Sequence, residues 1–182
     1  MKATGIVRRI DDLGRLVIPK EIRRSLRIRE SDPIEIFTER DGEIILRKYA
    51  RMRELNEYTA TVVQALHGTF GCHALITDTE KVLCAAGSAR AQLTGQLLAG
   101  SFWDTVRKRQ SVIFDDASPR KTELLETPAF PCSSLIALPI CAQGDVAGSI
   151  AMMTDKANEK LDAAALMTLK AFSLYLGKLL EE

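Results

Sequence analysis

The first fifty residues are too few to close a core around themselves, and that limit shapes what the chain can become. They hold sixteen Val, Ile, Leu and Phe side chains and no cysteine. A module of this size ordinarily needs disulfides, a metal or a second copy of itself to stabilise a fold. Without a thiol, a dimer sharing one core is the expected remedy. A twofold dimer would also present every surface feature twice.

The surface feature in question is basic. Residues 5–26 read GIVRRIDDLGRLVIPKEIRRSL. Gly5–Ile10 reads as a strand, and Asp11–Gly14 as a turn in which glycine can take positive φ. Arg15–Ile18 reads as a second short strand. Pro19 presets φ for a helical start, and Lys20–Leu26 fits a short helix with Ile22 and Leu26 on one face. Residues 33–38 alternate as a strand, Asp41-Gly42 is a hairpin signal, and Glu43–Lys48 returns as the partner strand. Arg8, Arg9, Arg15, Lys20, Arg23 and Arg24, with Lys2 nearby, gather around this framework and read as a DNA-binding element. Arginine can bond phosphates or guanine edges with two nitrogens at once, which carries geometry as well as charge. No aromatic residues interleave with them, which argues against a base-stacking RNA or single-strand platform.

Net charge is +1, but it is unevenly spread. Residues 1–29 carry nine basic against three acidic groups, and residues 54–182 carry eleven against fifteen. Only the N-terminal end is suited to a polyanion such as double-stranded DNA.

IVRRIDDLGRLVIPKEIRRSLRI, with DPIEIF and DGEIILRKY after it, resembles the N-terminal domain of AbrB-type transition-state regulators. The resemblance covers residues 3–50. It implies a swapped-hairpin β-barrel in which two chains interleave, with Arg8, Arg9, Arg15, Arg23 and Arg24 facing DNA. Antitoxins share this barrel, so an antitoxin-like DNA-binding module is the second reading. An antitoxin would be expected to continue into a disordered, toxin-wrapping tail.

The rest of the chain does not read that way. Residues 51–55 read as a linker into a helix over 54–68, whose stripe is Leu55, Tyr58, Val62, Ala65 and Leu66. Strands follow at 72–78 and 82–86, and helical pieces over 89–109 divide near Gly100. A short strand at 111–114 leads to a loop-like stretch over 115–131. Two apolar strands, 135–141 and 146–153, precede a closing helix over 162–180. This order, with the phrase LPICAQGDVAGSIAMMT, resembles a GAF sensor domain. The expected fold is therefore mixed: an N-terminal swapped-hairpin β-barrel over 1–50 and a C-terminal α/β GAF-like domain with an antiparallel sheet over 56–182. The helices at 54–68 and 162–180 could form a four-helix dimer interface, as GAF domains often do, and the resemblance implies a homotetramer through dimers at both ends.

Segments 88–110 and 115–131 would cover a GAF pocket. Phe102, Trp103 and Phe130 either line a small-molecule cavity or fill the core. No cofactor is expected beyond such an unidentified ligand, and no metal. The four cysteines lack zinc-ligand spacing, although His67 and His73 flank Cys72. Fingerprints of hydrolases, metalloproteases and nucleotide-binding enzymes are absent, so no enzyme is expected. No secretory leader or membrane span is indicated. The resemblance implies a transcription factor of spore-forming bacteria, acting in the cytoplasm at the nucleoid, in the forespore.

Overall fold

The computed structural model describes residues 5–30, 32–40, 42–121, 123–127, 130–157 and 159–182, with backbone alone for 116–121. The chain divides into two compact units, Met1–Tyr49 and Ala50–Glu182.

In the first unit, helix α1 (Lys20–Ser25) follows Pro19, which stands at the N-cap and accepts a bond from the Arg23 N–H at 2.9 Å. Strands β1 (Ile34–Thr38) and β2 (Ile44–Lys48) form an antiparallel hairpin, with Ile34 opposite Lys48 and Thr38 opposite Ile44. Gly42 takes φ 79° at its turn. Asp41, the other half of the hairpin signal, lies outside the described residues.

Residues 5–10 and 15–18, expected as strands, join no ladder within one chain. A strand needs an edge to bond to, and a lone two-stranded ribbon offers little. Ile22 is half-buried and Leu26 exposed, so their expected shared face is only partly covered. None of the described residues of this unit is a buried hydrophobic.

The second unit is built on one antiparallel sheet. Its strands are β3 (His73–Thr77), β4 (Val82–Ala86), β5 (Val112–Lys121), β6 (Pro131–Ala142) and β7 (Asp145–Thr154), in the order β4-β3-β7-β6-β5. Helices α2 (Asn56–Phe70) and α5 (Ala163–Leu179) cover one face. There Val62, Leu66, Leu169 and Leu176 meet Ile76, Ile136 and Ile150. Helices α3 (Arg90–Leu93) and α4 (Gly100–Val106) belong to the other face, where Leu93, Phe102, Trp103 and Phe130 pack with Leu75, Leu135 and Met153. Both faces are covered, which explains why β3, β6 and β7 read as near-continuous apolar runs.

Three boundaries differ from expectation. Residues 51–55, expected as a linker, form a 3-10 helix with Met52 and Leu55 in the core. The i,i+3 spacing of these two stacks them on one side of such a helix. Helix α2 continues past Gly68 and ends at Gly71, whose φ of 68° makes the left-handed cap. Strand β5 runs well beyond residue 114, with a register break between Asp115 and Arg120. It is an outer strand of the sheet, a position that tolerates Pro119 and the polar run around it.

Candidate nucleic-acid interface

Arg8, Arg9, Arg15, Arg23 and Arg24 are all exposed in the first unit, and Lys20 with them. Lys2 lies outside the described residues. The Arg8 guanidinium donates to the Val7 carbonyl at 3.4 Å. Arg23 and Arg24 occupy the last turn of α1, where cationic side chains also suit the helix dipole.

The turn before Arg15 is more organised than its sequence suggested. Gly14 takes φ 73°, and its N–H donates to the Asp11 carbonyl at 3.0 Å. The Asp11 N–H donates to the Arg15 carbonyl at 3.1 Å. Asp11 Oδ1 accepts from the N–H groups of Leu13 at 3.1 Å and Arg15 at 2.7 Å. Asp11 Oδ2 accepts from Arg15 Nε at 2.8 Å. These bonds, the Arg15 N–H first and its guanidinium second, hold the Asp11 carboxyl below its ordinary value. Asp11 was read only as a turn former. The usable signal was an aspartate heading a tight turn, where its side chain bonds the backbone ahead.

The exit of α1 is also tied down. Ile28 N–H donates to the Arg23 carbonyl at 2.7 Å. Lys48 pairs with Asp32 at 3.0 Å, and Asp32 accepts from the Arg29 N–H at 2.7 Å. Arg47 lies 4.8 Å from the centre of the Phe37 ring. Beside the arginines stand exposed apolar side chains, with Val7 85%, Leu13 70% and Val17 70% accessible. The unit therefore combines a cationic surface with an uncovered apolar one.

In the second unit, Phe102, Trp103 and Phe130 are all buried in one cluster. His73 is buried with its ring edge-on to Phe130 at 4.9 Å and Nε2 3.3 Å from Asp155. Cys72 and Cys132 are buried thiols, and burial pushes Cys72 up to about 11. Among the described residues, no group of three His, Cys, Asp or Glu could hold a metal ion. Nor, among the same residues, is any helix long and apolar enough to cross a membrane.

The family matches that follow make this a DNA-binding transcriptional regulator that joins an AbrB-type N-terminal fold to a GAF-like domain. Residues 54–181 match the family profile described as stage V sporulation protein T C-terminal, transcription factor. The chain is 40% identical over 173 residues to stage V sporulation protein T of Bacillus subtilis strain 168, covering 94% of this chain and 96% of that relative. It belongs to the stage V sporulation protein T family. Residues 7–54 match the family profile described as antidote-toxin recognition MazE, bacterial antitoxin. They are also akin to the transition state regulatory protein AbrB of the same Bacillus, 59% identical over 49 residues, which is 27% of this chain and 50% of AbrB. The second GAF domain of DevS from Mycobacterium smegmatis shares the fold of the C-terminal unit. Its TM-score is 0.54 at 16% identity, covering 68% of this chain and 91% of that domain.

Proposed function

We propose that this regulator acts in sporulation, activating some genes and repressing others, by binding double-stranded DNA as a homo-oligomer in the cytoplasm of a spore-forming cell, at the nucleoid and within the forespore. Arg8, Arg9, Arg15, Arg23 and Arg24, with Lys2, make the contacts. The observation that carries this is the first unit itself: five exposed arginines beside apolar side chains that one chain leaves uncovered. A second chain would supply the missing strand edges and double the arginines for two half-sites. Pairing of α2 and α5 with a second copy would build the tetramer. A small-molecule signal would act in the second unit, in the layer holding Phe102, Trp103 and Phe130.

Titrating full-length protein onto duplex DNA at rising salt tests the DNA assignment. Phosphate contacts by this many arginines should give a log–log slope of about −5 or steeper. Changing Arg8, Arg15 and Arg24 together to Ala should abolish binding while sedimentation still shows a folded oligomer. Undiminished binding would mean that other residues hold the DNA.

The antitoxin reading draws on the MazE match over residues 7–54. It fits less well with the compact, sheet-based unit Ala50–Glu182, which stands where a toxin-wrapping tail would be needed.

A further inference from the structure

We propose that Asp11 is a positioning residue for DNA recognition: it closes the 11–15 turn and holds the Arg15 guanidinium by one nitrogen, leaving the two terminal nitrogens presented to DNA. This rests on the reading of Arg15 as a DNA contact.

The geometry divides the carboxylate's work between its two oxygens. Oδ1 serves the backbone, accepting from Leu13 and Arg15 N–H groups. Oδ2 serves the side chain, accepting from Arg15 Nε at 2.8 Å. The Arg15 side chain is 68% accessible, and its terminal nitrogens have no partner among the described residues. A free arginine must give up most of its rotamers when it docks. One already fixed at Nε gives up fewer, and its remaining two donors keep the paired geometry that suits a guanine edge.

Plain electrostatics predicts the opposite sign. An exposed carboxylate on a DNA-facing surface repels phosphates, so removing it should tighten binding. Asp12 is the internal control. It carries the same charge one residue on, is exposed, and makes no side-chain bond among the described residues. Asp11→Asn and Asp12→Asn therefore change net charge identically, but only the first removes the acceptor for Arg15 Nε. The asparagine at 11 keeps an oxygen for the two backbone N–H groups, so the turn survives.

The test uses the full-length protein. The specific probe is a duplex enriched from a random pool by the wild type, and poly(dA-dT), which lacks the O6/N7 acceptor pair, is the non-specific one. Asp12→Asn should bind both duplexes as well as the wild type or better. Asp11→Asn should lose about tenfold on the enriched duplex, the scale of one well-made base-edge contact, with no loss on poly(dA-dT). In an Arg15→Ala background, Asp11→Asn should change nothing further. Asp11→Asn behaving like Asp12→Asn on the enriched duplex would overturn the proposal, as would equal losses on both duplexes. Arg15→Ala binding like the wild type would instead overturn the reading beneath it. Circular dichroism and a urea midpoint check folding. Should Asp11→Asn unfold, Asp11→Ser, whose hydroxyl still reaches the local backbone, takes its place.

Discussion

Gly87 has no side chain because His73 occupies the place one would take. A Cβ built there would stand 2.5 Å from His73 Nδ1, and φ at Gly87 is +104°. His73 cannot easily yield, since it is buried and bracketed by Phe130 and Asp155. Gly87→Ala should therefore destabilise the second unit by about 2–3 kcal/mol, combining a strained backbone with a steric clash. Urea unfolding of the full chain measures it, and a midpoint equal to the wild type would refute the clash. At this scale the sequence was legible where charge and type carry the meaning. The arginines stood out because their chemistry is visible in one dimension. Asp11 as an organiser of Arg15, and Gly87 as the space beside His73, depend on which atoms meet.

The elements were legible where periodicity was clean. The closing helix, α5, lies within the span read for it and buries Ala165, Leu169 and Leu176. The β1–β2 hairpin and the paired apolar strands β6 and β7 also lie near their expected places. The errors came where tertiary context overrides local signals. Pro119 hid most of β5, and the basic residues of YARMR hid the 3-10 helix at 51–55. That helix is held through Arg53, whose Nη2 lies 3.7 Å from Asp78 Oδ2. Asp78 is fully buried; its Oδ1 accepts from the Glu80 and Lys81 N–H groups, while Oδ2 has no hydrogen bond. Removing Arg53 leaves a buried carboxylate without its counter-charge. Because Arg53 is itself half exposed, Arg53→Ala should cost about 1–2 kcal/mol, less than breaking a wholly buried pair. Asp78→Asn in the same background should recover part of the loss, read from thermal unfolding.

For the whole molecule, the outer side of α2 and α5 matters most. Tyr58, Val62, Ala65, Phe172 and Tyr175 line an open groove of about 540 Å³. If a second copy fills it and so builds the proposed tetramer, Tyr58→Glu with Tyr175→Glu should leave only the dimers proposed to form through the N-terminal units. Sedimentation at micromolar protein would show this, and an intact tetramer would place the contact elsewhere. The sequence could suggest such a face but not its width, because Tyr58 and Ala65 read as members of the buried stripe.

The join between the units adds a last point. Tyr49 N–H still bonds the Pro33 carbonyl at 3.0 Å within the first unit, and Met52 is already wholly buried in the second. Between them lie Ala50 and Arg51. Even fully extended, that stretch spans only about 10 Å. Two chains joined through one unit therefore hold their other units at millimolar effective concentration or higher, provided the geometry lets both pairs engage. Weak self-association in either unit would then suffice, and a loss of grip at one end would be felt as a loss of avidity at the other.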